Sequence, residues 1–425
     1  MVQLRIQAKQ MKDEGKYNEA IILYKQLTLK EEDKWVSWEF AYCLKQVGEL
    51  DEAIVICKET YNRDHNFLYN NNLLGWLLYE KYFKTLQDDY SYEEVSKLYD
   101  IALYIPNIIT QDDKSAYSNI ILRMLKILKN STSNNNDRIF ELLNLLDYDK
   151  LSSEPKTFTQ MGREKEYHSD KEMYFSYKTK VLHSKGLHSE CVSCCDIALA
   201  ELENFHHDNE IWFKVRRALS IGEIADFDES LKQLLQILII KPHWIIMTEL
   251  ARTYVKVGDE KNSLLYYSKA IITNEPIKMK VAILMEIMML LENMKEHSWR
   301  ELHGCMLYKI RDKEGWSIKQ DLDTLYKNSE LTNLNEYQIH KKLKEYWINN
   351  IHNLSTSYNG IVTKVHSNGK FGFIKSSANS YYFQMKSIVF SNKIKIGDKV
   401  RFTLTDSYDS KKDRLSKEAS YVIIE

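Results

Sequence analysis

The chain has 425 residues, 44% of them hydrophobic, and balances 59 Lys and Arg against 60 Asp and Glu, so it is long enough for more than one core and nearly neutral as a whole. Its most apolar stretch, LLQILII at residues 234–240, stops at Lys241, well short of the ~18 apolar residues a spanning helix needs, and the N-terminal MVQLRIQAKQMKDEGKY lacks the basic and apolar regions of a secretory signal. Six Cys in a chain of this size, three of them at 191, 194 and 195, do not make a disulfide framework, so a cytoplasmic protein with reduced thiols and no membrane contact is expected.

From the N-terminus the chain reads as helical hairpins. Gly15 is followed by Ala20, Tyr24 and Leu27, and Gly48 by Ala53, Cys57 and Thr60, at the same offsets of five, nine and twelve residues. A small residue lies seven before each glycine, at Ala8 and Ala41. Such a pattern suits two packed helices: a small residue where they cross, a glycine in the turn, then a small and a large side chain four apart on the second helix. Leu74-Gly75 opens a third unit, whose second helix is predicted from Ser91 to Ile105, closed by Pro106. Residues 111–150 read as an amphipathic hairpin without the pattern, containing a polar connection at 131–138.

Residues 152–172 are polar and irregular and are read as a possible hinge at 151–172. The pattern then returns at Gly186, with Thr179, Cys191, Cys195 and Ala198. A weaker unit spans 209–242, with Leu231, Leu235 and Leu238 at the equivalent offsets. At Gly258, with Ala251, Ser263, Tyr267 and Ala270, the match is fullest, and residues 277–350 follow as unpatterned hairpins. In this spacing the chain resembles the tetratricopeptide repeat, which implies an α-solenoid of about eight to ten hairpins at ~40 residues each. The resemblance also implies that first helices line a partner groove, placing Arg5, Lys9, Lys12, Trp38, Tyr42, Lys45, Asn72, Trp76 and Tyr79 there to meet a peptide or more nucleic acid.

Beyond the polar junction at 352–360 the character changes. Residues 357–425 hold four of the thirteen Gly and none of the four Pro, and carry twelve Lys and Arg against six Asp and Glu; the other 356 residues carry 47 basic and 54 acidic ones. An acidic body thus bears a basic tail domain, the charge footprint of a nucleic-acid module. In GIVTKVHSNGKFGFI, period-two spacing puts Phe371 and Phe373 on one face of a strand and Gly372 and Ile374 on the other. Two rings side by side with Lys364, Lys370, Lys375 and Lys386 around them suit bases stacked between phosphates.

These segments, with YYFQMKSI at 381–388, GDKVRF at 397–402 and a last strand at 419–424, resemble in order the five strands of a cold-shock domain, a small OB-type barrel. The Phe-Gly-Phe of the family's first RNA-binding motif is present; in the second, the usual Phe-x-His becomes Tyr382-x-Gln384, the preceding loop is about two residues short, and Lys364 replaces a stacking Trp. The resemblance implies that Phe371, Phe373 and Tyr382 stack bases, that Lys364, Lys370 and Lys386 meet phosphates, and that Gln384 reads a base edge, with His366 and Phe390 as further contacts.

Other chemistry finds little support. Cys191, Cys194 and Cys195 with His206 and His207 suggest zinc, but the repeat register already assigns Cys191 and Cys195 to packing slots, and adjacent histidines lack the usual spacing for one ion. No phosphate-binding glycine loop, His-Glu-x-x-His or Gly-x-Ser-x-Gly is present. The expected architecture is mainly α: repeats over 1–150 and 173–352, then a cold-shock-like OB barrel over 357–425. The expected function is a non-catalytic adaptor without cofactor, binding single-stranded RNA, or DNA, through the barrel and a protein or more nucleic acid through the solenoid. Two alternatives stay open: a protein-only scaffold whose barrel has lost nucleic acid, and a regulatory or defence-system subunit that couples nucleic-acid sensing to an effector encoded elsewhere.

Overall fold

The repeat glycines place the hairpins. In the computed structural model, which describes residues 2–28, 33–87, 89–131, 135–160, 162–224, 226–390, 394–409 and 414–425, Gly15, Gly48, Gly186 and Gly258 all adopt left-handed φ of 74 to 86°, where a Cβ would be strained. Each closes the first helix of a pair: α1 (Val2–Asp13) and α2 (Tyr17–Thr28), α3 (Lys34–Val47) and α4 (Leu50–Arg63), α9 (Asp170–Ser184) and α10 (His188–Glu201), α13 (Trp244–Lys256) and α14 (Glu260–Ile271). All sixteen crossing, small and large positions of these four pairs, from Ala8 to Ala270, are at most 2% exposed. The helices form a tetratricopeptide-like solenoid followed by a closed five-stranded barrel.

The remaining helices fill the same scheme with altered signals. In the third unit, α5 (Leu68–Tyr82) pairs with α6 (Tyr92–Ile108), whose start is fixed by a capping box between Ser91 and Glu94. Pro106 does not end α6, which runs on to Ile108; a proline in a last turn costs only one backbone bond. Then come α7 (Tyr117–Asn130) and α8 (Asn136–Asn144); of the polar connection at 131–138, residues 132–134 lie outside the described residues.

In the weak unit of α11 (Asn209–Ile224) and α12 (Phe227–Ile240), the predicted Leu231 is buried but Leu235 and Leu238 are only half-buried; Ser230, Leu234 and Ile237 are buried at the repeat offsets, one residue earlier than predicted. The frame therefore counts from position 225, which lies outside the described residues and where the sequence has Ala rather than Gly, and Ala218, seven before it, is fully buried.

Two compact units result, Met1–Phe213 and Lys214–Glu425. The 151–172 segment lies inside the first. Part of it forms an antiparallel hairpin of β1 (Lys156–Gln160) and β2 (Arg163–Tyr167) around Gly162. Its polar, non-alternating composition gave no strand signal, and the hairpin leads directly into α9, whose N-cap Ser169 accepts from Glu172 N–H.

Within the second unit, α15 (Val281–Asn293), α16 (His297–Lys313), α17 (Gln320–Lys327) and α18 (Glu336–Leu354) continue the helical body. His303 is fully buried on α16: its Nε2 accepts the Trp347 indole N–H at 2.9 Å and its Nδ1–H donates to the Trp299 carbonyl at 2.7 Å. Burial pulls this imidazole down to about 4, opposed only by the Trp299 hydrogen bond. Below pH 6.5 the unfolded chain takes up a proton that the folded chain refuses, so acidification from pH 6.5 to 4 removes about 3 kcal/mol from this unit. The expected NMR signature is a His303 ring whose shifts stay constant from pH 7 to 5. A titration midpoint near 6.5 contradicts the assignment.

The barrel follows without a linker. The junction at 352–360 was expected to be a polar connection, but α18 extends to Leu354 and β3 (Ser357–Val365) begins three residues later. His352 is the pivot: Nε2–H donates to the Tyr421 carbonyl at 2.8 Å, Nδ1 lies 3.0 Å from Ser357 Oγ, and the Ser357 hydroxyl donates to the His352 carbonyl. Burial pulls the His352 imidazole down, so it serves here as a neutral hydrogen-bonding group. Strands β4 (Phe371–Ser376), β5 (Asn379–Gln384), β6 (Lys399–Asp409) and β7 (Arg414–Ile424) close the barrel in the order β3-β4-β5-β7-β6. Among the described residues the parallel contacts are those of β5 with β7 and the bridge of Ile388 to Val422. Val362, Ile374, Phe383, Val400, Phe402, Ala419 and Val422 fill its core. The last two strands extend beyond the predicted 397–402 and 419–424 because they pair with each other as far as Asp409 and Arg414.

Candidate nucleic-acid interface

Register brings the predicted aromatics together. Between β4 and β5, Phe373 faces Tyr382 and Phe371 faces Gln384. A bulge between Val362 and Lys364 in β3 sets Lys364 opposite Phe373, so one transverse row reads Lys364, Phe373, Tyr382. Gly372 and Ile374 point the other way and are buried, while Phe371, Phe373 and Tyr382 stay half-buried on the open face. Period-two alternation therefore holds through both strands.

Ring geometry refines the expected platform. The Phe371 ring lies 5.5 Å from Tyr382 at 36°, and Phe373 stands edge-on to both, 6.2 Å at 84° from Phe371 and 6.0 Å at 73° from Tyr382. His366 stacks on Phe371 with centroids 4.4 Å apart at 26°. One face of Phe371 is thus covered, and the imidazole is the outer surface there. Only its shared face with Lys364 hinted at this, because the stack depends on the fold of the β3–β4 loop. That loop is held internally: His366 N–H donates to the Phe371 carbonyl, Lys370 N–H to Asn368 Oδ1, and Gly369 adopts φ 67°.

The cations flank this face. Lys364, Lys370, Lys375 and Lys386 are exposed, Lys386 in the single helical turn Met385–Ser387 after β5. Phe390 lies further along at φ 71°, with the Lys344 ammonium of α18 5.6 Å from its ring centroid. The Phe390 ring is exposed.

Glu418 was missed by the sequence reading. It pairs with Tyr382 across the parallel β5–β7 contact, extending the row to Lys364, Phe373, Tyr382, Glu418, and it accepts a 3.4 Å hydrogen bond from Gln384 Nε2. Burial and then the Glu418 carboxylate push the Tyr382 phenol up. A carboxylate here repels phosphates while offering an acceptor to base edges. Glu418→Gln is expected to tighten binding of an oligo(U) strand, which has no exocyclic amino group, about fivefold at low salt, corresponding to ~1 kcal/mol of relieved repulsion. Unchanged or weaker binding in an anisotropy titration contradicts a repulsive role.

The groove residues of the first repeats have a different fate. Arg5 pairs with Asp33 at 2.7 Å, Lys12 with Glu39 at 3.1 Å and Lys45 with Glu80 at 3.0 Å, each carboxylate coming from the following repeat. Burial opposes the charge on Lys12, but the Glu39 hydrogen bond and field more than offset it, so its ammonium titrates above the usual lysine range. Glu39 also accepts from the buried Tyr24 hydroxyl at 3.2 Å. Lys9 stays exposed. Trp38 packs with Trp35, Tyr42 and Tyr69, and the Trp76 indole donates to the Lys114 carbonyl while its ring meets Tyr79 edge-on. Asn72 is half-buried, its Oδ1 without a hydrogen-bond partner. Three of the four basic groups expected in this groove are therefore joints between repeats.

Cys191 and Cys195 fill the buried repeat slots, and among the described residues no group of three or more His, Cys, Asp or Glu is arranged to hold a metal ion. No helix among them is long and apolar enough to cross a membrane.

No family model and no curated protein matches this chain. Solved structures share the helical-repeat likeness at low identity. A human IFIT1 dimer with PPP-AAAA is 14% identical over 82% of this chain and 76% of that one, with a TM-score of 0.36. YrrB, a TPR protein with an unusual peptide-binding site, is 15% identical over 64% and 96%, with a TM-score of 0.22. TTC0263, a thermophilic TPR protein in Thermus thermophilus, is 13% identical over 66% and 94%, with a TM-score of 0.20.

Proposed function

We propose that this chain is a non-catalytic adaptor whose barrel binds a single-stranded nucleic acid, RNA in preference to DNA, and whose helical repeats bind a protein partner. The observation that supports it most is the row of Lys364, Phe373 and Tyr382, with Phe371 and His366 beside it, on an open sheet face edged by lysines. Barrel topology agrees: numbered from the start of the barrel the strand order is 1-2-3-5-4, and the aromatic cluster sits on strands two and three, the face by which OB-type and cold-shock-like barrels hold oligonucleotides. Stacking is tolerant of sequence, so binding without strong base preference is expected.

A protein, rather than a longer strand, is the favoured occupant of the first-repeat groove. Three of its four cations are already neutralised by Asp33, Glu39 and Glu80, with Lys9 exposed, which leaves chiefly aromatic and amide groups suited to an extended peptide.

Anisotropy of a labelled ten-nucleotide oligo(U) with the full chain across a salt series tests the barrel reading. Three lysines at phosphates predict that log K falls by about 2 per tenfold rise in salt. Absence of binding at 50 mM salt, or binding indifferent to salt, overturns it.

A further inference from the structure

A cavity in the first unit is lined by none of the residues assigned above to the barrel face or the partner groove. It opens between α7, the β1–β2 hairpin, α9 and the first turn of α11 with a volume of about 530 Å³, within the range of small-molecule sites. Lys126, Lys129 and Lys180 line it with Tyr167, His168 and Trp212, and the described lining residues include no carboxylate. The acids at the start of α9 are engaged elsewhere: Asp170 pairs with Lys156, and Glu172 is fully buried in hydrogen bonds of its own.

The far wall is built on those bonds. Glu172 accepts from His206 N–H, from His206 Nδ1–H and from Asn209 Nδ2, each at 2.7 Å. They hold the turn at 206–209, in which His207 and Asp208 are consecutive non-glycine residues at left-handed φ of 53 and 59°. Backbone in that region costs ~1–3 kcal/mol per residue and persists where surrounding structure enforces it, commonly at ligand sites. Here the strain sets His207 against the Tyr167 ring, 5.2 Å away, while Tyr167 and His168 lie 4.0 Å apart. On the opposite wall the Lys126 ammonium sits 5.9 Å from the Tyr167 centroid and that of Lys129 5.5 Å from Tyr177. Burial, then Lys156 and Arg123, pull the Lys126 ammonium down, against the weaker opposing field of Asp170. An anion entering the cavity relieves that repulsion.

We propose that this cavity binds a phosphorylated nucleotide, with Lys126 and Lys129 at the phosphate oxygens and the Tyr167 and His168 rings beside the base. A simple anion needs no rings, and an aromatic peptide needs no cluster of lysines; a nucleotide uses both. The same chemistry is offered by a free nucleotide and by the phosphorylated 5′ end of a strand. The site is independent of the barrel.

The test uses the full chain with four-nucleotide strands carrying either a 5′-phosphate or a 5′-hydroxyl, and ATP as competitor. The phosphorylated strand is expected to bind at least tenfold tighter, with the preference reduced to within twofold in Lys126→Ala/Lys129→Ala of unchanged helical circular dichroism. Competition by ATP identifies a free nucleotide as a ligand, and phosphate preference without competition identifies a strand end; either upholds the site. Equal binding of the two strands with no ATP binding overturns it, as does a phosphate preference that survives the double variant.

Discussion

Phe371→Ala combined with Phe373→Ala is expected to weaken single-strand binding by the full chain thirtyfold or more, with the fold retained. Each stacked base contributes ~1–3 kcal/mol, so two rings remove about 2–6 kcal/mol, and each 1.4 kcal/mol is a factor of ten. Phe371 also carries the His366 stack, so its loss takes away the outer ring as well. Both phenylalanines are half-buried on the open face, whereas the barrel core beneath rests on Phe383, Phe402 and Ile374. Tyrosine at both positions keeps the π-faces and should restore most of the affinity. Lys364→Ala behaves differently, lowering the salt slope by about 0.7 with little change in base preference. Anisotropy titrations of the three variants separate these effects, and full affinity in the double alanine variant excludes the platform.

Gly372→Ala is expected to disrupt the barrel itself. A Cβ at this position meets the Lys364 carbonyl oxygen at 2.5 Å and the Phe383 ring at 2.6 Å. The first is backbone of the paired strand and the second fills the core, so neither yields without moving β3 or β5. Overpacking of this kind costs ~1–3 kcal/mol or more, a large share of what a barrel of about seventy residues has. Because His352 and Ser357 tie β3 to α18, and the Tyr421 carbonyl ties β7 to the same histidine, the damage should spread to the last helix. Thermal unfolding followed at the barrel tyrosines should shift down by several degrees, and binding should fall with it. A variant that melts and binds like the parent contradicts the close approach.

The tight Gly372 contact was implicit in the sequence, since Phe-Gly-Phe in a strand places the glycine inward. The hairpins were legible for a related reason. Their signal is a set of small residues where helices cross, and Ala8, Ala41, Cys191 and Ser263 are buried as that spacing requires. The one-residue shift in α12 escaped because Ala225 supplies no glycine to set the frame, and its leucine-rich run is apolar at several offsets at once. The 156–167 hairpin escaped because its strands have no apolar face to alternate.

Glu418 was hidden by topology. It joins the aromatic row only through the parallel pairing of β5 with β7, thirty-six residues apart at Tyr382 and Glu418, and no local pattern predicts such a pairing. His366 needed the loop conformation, and the Arg5, Lys12 and Lys45 ion pairs needed the contact between successive repeats. Residue types on a groove are thus readable from a repeat register, but their availability is decided by neighbours one repeat away.

Nucleic acid bound on the Phe371 face of the barrel would leave a direct chemical trace. Photocrosslinking a 4-thiouridine-containing oligonucleotide to the full chain, followed by mass spectrometry of the adducts, reads that trace. Adducts are expected to concentrate at His366, Phe371, Phe373 and Tyr382 and to be lost when salt releases the strand. Adducts confined to the helical repeats, with these four residues unmodified, contradict binding on this face.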